Sequence, residues 1–254
     1  MYNRLLSILL ALACFAALTL NAQPYSDADR QMVRTIFEQS LENGHTYENL
    51  EYLCLKIGPR LSGSEGADKA VAWTKELMES YGFDRVYLQE VMVPHWERGP
   101  KEEVYVVEDG KQVSELSALA IGGSVPTPEG GLEAEVIEVY SLEEVEELGR
   151  EEIEGKIVFY ARAFDQKVIQ TGAGYGGAVD QRTAGPSKAA EYGAVGVIIR
   201  SVASNYDDNP HTGTLRYRED VPKIPAAALG VQSAERLQAM LKENPSLKVK
   251  MKIN

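Results

Sequence analysis

Cysteine is almost absent: the 254 residues hold two, Cys14 and Cys54. Cys14 falls in an apolar run over 5–20 that follows Arg4 and precedes Asn21-Ala22-Gln23-Pro24. This is the pattern of an export signal over 1–22, cleaved after Ala22. The run is shorter than the roughly 20 apolar residues that span a bilayer, and no later stretch approaches it. A retained membrane anchor is therefore not expected. The predicted location is secreted or periplasmic, with no membrane association once the signal is removed. Ala11-Leu12-Ala13-Cys14 faintly resembles a lipidation box, but Ala11 stands where leucine is usual. Loss of the signal leaves Cys54 alone, so no intramolecular disulfide can form and the fold must be held by its core.

Positive charge is also short. Against 38 Asp and Glu stand 26 Lys and Arg, a formal charge of −12 that becomes −13 when Arg4 departs with the signal. That balance argues against nucleic acid or an anionic membrane as partner. Histidine is scarcer still, at 45, 95 and 211, and no two of the three stand at the spacing that sets two ligands on one helical face. A zinc site formed by this chain is not expected. His211, in Asn209-Pro210-His211-Thr212-Gly213, reads as a loop residue, and His95 beside Trp96 reads as a packing or hinge residue.

Catalytic signatures are missing as well. Gly172-x-Gly174-x-x-Gly177 fits the dinucleotide-binding pattern in letters only. That pattern needs a strand running into it and a helix opening from it, whereas the nearest predicted strand ends near Tyr160 and the next predicted helix begins at Pro186. A flexible loop accounts for the glycines. Leu61-Ser62-Gly63-Ser64-Glu65-Gly66 is not a nucleophile elbow, and Ser64 reads as the start of a helix. The carboxylate clusters at 143–147 and 151–152 fall on exposed helix and turn, where a charge run is a solvated face. No repeat with a period of roughly 20 to 50 residues occurs, which disfavours solenoids and propellers.

What is present is a mixed pattern of helices and strands. Ser26 with Asp29 three residues on opens a helix whose apolar residues are Val33, Ile36, Phe37 and Leu41. A second helix runs from about 46 to 57, is closed by Gly58-Pro59 and carries Cys54 as a core residue. A third carries Ala67, Ala70, Val71, Leu77 and Met78 up to Gly82. Residues 85–93 read as a strand with a bulge near Gln89. After Pro94 the character changes to short strands at 104–107, 134–139 and 156–160, broken by a Gly- and Pro-rich stretch over 122–131. Then come a helix at 186–192, strands at 195–199 and 224–229, and a helix at 233–241. The last strand sets Leu247, Val249, Met251 and Ile253 on one face against Lys248, Lys250 and Lys252 on the other. The fold class is α/β, or mixed α+β.

Several segments in order along the chain resemble the carboxypeptidase Q (plasma glutamate carboxypeptidase) branch of the zinc exopeptidases. They are Ile57-Gly58-Pro59-Arg60-Leu61-Ser62-Gly63-Ser64, Val93-Pro94-His95-Trp96-Glu97-Arg98-Gly99, Gly122-Gly123-Ser124-Val125, Gly155-Lys156-Ile157-Val158, Gly193-Ala194-Val195-Gly196-Val197-Ile198-Ile199-Arg200, Pro210-His211-Thr212-Gly213 and Ile224-Pro225-Ala226-Ala227-Ala228-Leu229. The resemblance implies a peptidase domain begun at 23–93, an inserted β-rich protease-associated domain at 94–242, and a strand at 243–254 that returns to the peptidase domain to pair near 85–93. It further implies two zinc ions held by residues downstream of Asn254, with no catalytic or metal-ligating residue inside this chain.

The expected activity is hydrolysis of short peptides by the full-length protein, with this chain inactive by itself and a homodimer possible. The weak substrate-contact candidates are Arg60, Ser64 and His211. The alternative is a secreted module of protease-associated type that binds peptide or protein without catalysis.

Overall fold

The computed structural model describes residues 25–254. The segment read as an export signal, Cys14 included, lies outside them. The chain divides into two compact units, one of the described residues up to Arg60 with Glu65–Gln89, the other of Leu61–Ser64 with Glu90–Asn254.

The first unit is helical. Helix α1 (Asp27–Glu42) starts at the predicted cap: the Ser26 side chain accepts from the Asp29 amide, and Asp29 accepts from the Ser26 amide in return. Two of the donors that a helix leaves unpaired at its start are thereby satisfied. Helix α2 (Thr46–Tyr52) continues as a π-helical turn (Leu53–Ile57), and helix α3 (Glu65–Ser80) follows. The turn ends at Gly58, whose φ of 77° is a conformation that side-chain-bearing residues rarely adopt. None of these helical residues is buried. Cys54, expected in a core, is exposed, because the π turn stands outside any buried cluster among the described residues.

The predicted strand at 85–93 does not form. The segment runs without a ladder partner, and Met92 is 94% exposed. A β-rich composition yields a strand only where a neighbouring strand takes up its N–H and C=O groups.

The second unit is built on one eight-stranded sheet. Its strands are β1 (Glu103–Glu108), β2 (Lys111–Glu115), β3 (Ala118–Ala120), β4 (Leu132–Val139), β5 (Ile157–Tyr160), β6 (Gly196–Arg200), β7 (Ala226–Leu229) and β8 (Lys248–Lys252). The order is β2-β1-β8-β4-β5-β6-β7-β3. Strands β4 to β7 are parallel neighbours, and antiparallel pairs close both sides. The parallel strands β5, β6 and β7 are buried at every residue, which is why they read as unbroken apolar runs.

Helix α4 (Leu142–Ile153) links β4 to β5, and helix α7 (Gly185–Glu191) precedes β6; both bury residues in the cluster on one face of the sheet. Helix α8 (Val231–Glu243) packs Ala234, Leu237 and Leu241 into the cluster on the other face. Alternate residues of β5 serve the two cores: Ile157 and Phe159 enter one, Val158 and Tyr160 the other. The short strands β2 and β3 were not legible in the sequence. β3 is only Ala-Leu-Ala and has no alternation of its own to display.

One pairing differs from expectation. β8 lies between β1 and β4, with Val249 opposite Val106 and Ala134, and Met251 opposite Val104 and Leu132. It does not pair near 85–93. Val249 and Met251 are fully buried in the same cluster as Val104 and Val106, so their apolar face is satisfied inside this sheet.

Candidate binding site

The crossovers that follow the carboxyl ends of β5 and β6 bring together side chains that can recognise a ligand. This is where open α/β sheets place their binding loops. After Tyr160 the chain passes Arg162 and Phe164 into helix α5 (Thr171–Gly176) and helix α6 (Asp180–Thr183). The glycine run read as a flexible loop is therefore the short helix α5. Its Gly174 packs on the Phe164 ring, and a Cβ there would stand 2.7 Å from the ring edge. Asp180 pairs with the Arg162 guanidinium, and Gln181 donates to the Arg162 carbonyl at 3.0 Å. The Tyr160 hydroxyl donates to the Gly185 carbonyl at 3.0 Å. Burial first, and then the Asp180 charge, push that hydroxyl well above the usual tyrosine range.

From the next crossover comes the loop of His211. Its amide donates to Ser201 Oγ at 2.7 Å, and Ser201 in turn donates to the Leu229 carbonyl at the end of β7. The His211 ring meets the Tyr175 ring edge-on, 6.0 Å between centroids, and the Arg182 guanidinium lies 5.5 Å from the centroid of that same tyrosine. Gly213 abuts Arg182 so closely that a Cβ would come 2.6 Å from the guanidinium carbon. The loop is pinned in turn by Gly122, which donates to the Gly213 carbonyl at 2.7 Å and accepts from the Leu215 amide at 3.0 Å. Two segments that carry the family resemblance, 122–125 and 210–213, thus touch through backbone that side chains would hold apart.

A third such segment anchors nearby. Trp96 Nε1 donates to the Ser124 carbonyl at 3.1 Å, and Arg98 joins the Ala120 carbonyl to Glu102 at 2.6 Å. Ser124 Oγ accepts from the Ala226 amide at 2.9 Å, tying the 122–125 turn to β7. His95 is exposed and its Nδ1 lies 2.8 Å from the Gly63 carbonyl, within the second unit.

Of the sequence candidates, Arg60 sits in the first unit and donates to the Gly58 and Leu53 carbonyls at 2.7 and 3.2 Å, closing the π turn. Ser64 donates its amide to the Leu61 carbonyl at 3.0 Å immediately ahead of α3. His211 stands in the Tyr175–Arg182 cluster. Sequence reasoning passed over Tyr175 and Arg182. The available signal was the density of glycine around them, which marks close packing as readily as flexibility.

Among the described residues no group of three or more His, Cys, Asp or Glu side chains is placed to hold a metal ion. The zinc pair implied by the resemblance does not fit these residues. No helix among them is long and apolar enough to cross a membrane.

The fold and the ordered segments are similar to those of a class of known proteins, the peptidases of the M28 type. Over 90% of its length the chain is similar to the crystal structure of a peptidase M28 precursor from Shewanella amazonensis SB2B, with a TM-score of 0.80 and 35% identity, covering 51% of that chain. Within that class the similarity to carboxypeptidase Q drawn from the sequence holds across the chain: it is 37% identical over 229 residues to the Xenopus laevis protein of that name. That match takes in 90% of this chain and 46% of the relative, so the chain spans about half the length of the curated relatives it matches. A zinc aminopeptidase from Bacillus subtilis shares the fold at a TM-score of 0.51 and 20% identity, over 83% of this chain and 43% of that one. No family model matches the chain.

Proposed function

We propose that this chain is part of an exported, zinc-dependent exopeptidase that hydrolyses short peptides. The observation that carries the reading is the joint match to the Shewanella peptidase, in sequence and in fold, over nine-tenths of the chain. In this reading the sheet unit is a domain of protease-associated type, the helical unit contributes to the peptidase domain, and the zinc ligands and general base come from polypeptide outside the described residues. Zinc held by those outside residues would supply polarisation of the scissile carbonyl and a more acidic attacking water. The described residues would serve binding and placement.

The test is hydrolysis of a dipeptide panel by the intact gene product after signal removal. Activity should be lost on chelation and restored by zinc. Zinc-independent hydrolysis, or none by well-folded, zinc-loaded protein, would sink the reading.

A further inference from the structure

Two arginines are buried among the described residues, Arg182 and Arg200, at 7% and 9% exposure. Arg200 is matched: it donates to Glu235 at 2.8 Å and to Gln238 at 3.3 Å. Arg182 is not. No carboxylate lies within ion-pair distance of it among the described residues, and its Nε and Nη1 are buried without a hydrogen-bond partner. Its neighbours are the face of Tyr175 and the backbone of Gly213, neither of which carries a negative charge. A guanidinium stays charged at any physiological pH, so burial without an anion is strongly unfavourable and its donors remain unmet.

We propose that Arg182 receives a carboxylate from outside the described residues, held in the Tyr175–His211–Gly213 cluster. The class of anion follows from charge. A single guanidinium is neutralised by a monoanion, whereas a phosphate dianion would leave a net negative charge in the same buried place. Gly213 belongs to the device, because any side chain at that position displaces the guanidinium.

The carboxylate can come from a small ligand, which on the peptidase reading is the free end of a peptide. It can also come from an Asp or Glu of the same polypeptide beyond the residues described. Binding is measured without turnover, so failure here is distinct from failure of the peptidase reading.

The probes are N-acetylglycine and N-acetylglycinamide, titrated calorimetrically into the intact protein, with melting followed in parallel. With a ligand source, N-acetylglycine binds and raises Tm while the amide does neither. Arg182→Met then weakens binding at least tenfold, and Gly213→Ala, which leaves the arginine present but displaced, weakens it in the same direction. With an internal source, neither probe binds, Arg182→Met lowers Tm, and a structure of the longer polypeptide sets a carboxylate within about 4 Å of the guanidinium. The proposal is overturned if neither probe binds and Arg182→Met melts at or above the wild-type temperature, since removing an unmatched buried charge should then stabilise the fold.

Discussion

Ser124 illustrates how a single side chain sets the geometry around the binding loops. Its hydroxyl accepts from the Ala226 amide at 2.9 Å and donates to the Val125 carbonyl at 3.0 Å, and the residue is 7% exposed. Ser124→Ala leaves the first amide of β7 buried without a partner, a loss of about 1–3 kcal/mol. The expected result is a lower urea midpoint with an unchanged m-value, and an unchanged midpoint would show that the bond adds nothing. Glu235 gives a residue-level pH dependence. Its hydrogen bond to Arg200 holds its carboxyl below the ordinary glutamate range, against the opposing effect of burial. The folded-state pKa is depressed, so the contribution is present above the unfolded value and fades as pH falls through the folded one. Glu235→Gln leaves buried Arg200 with neutral acceptors only, so it should cost about 1–3 kcal/mol at pH 7. Between pH 5 and pH 3 the variant should lose stability less steeply than wild type in thermal melts.

At the scale of elements, β8 carries the clearest lesson. Its alternation of lysine with Val249 and Met251 was plain in the sequence, and so was its identity as a strand. Its partners were not, because alternation specifies which face is buried and leaves open which strand lies alongside. Residues 85–93 had similar composition and found no ladder. Met251→Ala should cost about 2–5 kcal/mol, since Met251 is fully buried between β1 and β4. Hydrogen exchange in that variant should rise together in β1, β4 and β8. Faster exchange confined to the helical unit would contradict the pairing. Helices α1, α7 and α8 were legible because caps, a proline near the first turn or an apolar stripe marked them locally. The short helices α5 and α6 were not, since six and four residues are too few to display a period, and α5 is half glycine.

At the scale of the whole molecule, burial is concentrated in the sheet unit, while α1 to α3 bury no residue. Phe37 on α1 is 65% exposed, so Phe37→Ser should change stability by less than about 0.5 kcal/mol, and a large drop in melting temperature would count against that exposure. The sequence by itself determined the mixed α/β class, the change of character near Pro94, the buried parallel strands and the likeness to carboxypeptidase Q. Each of these is written in local composition or in ordered segments. Only the tertiary structure decided that β8 completes the sheet, that 85–93 stays unpaired, that Cys54 is exposed, and that Arg182 is buried beside Tyr175 with unmatched donors. Those outcomes depend on which distant segments meet, and neither propensity nor period encodes the partner of a strand or the counter-charge of an arginine.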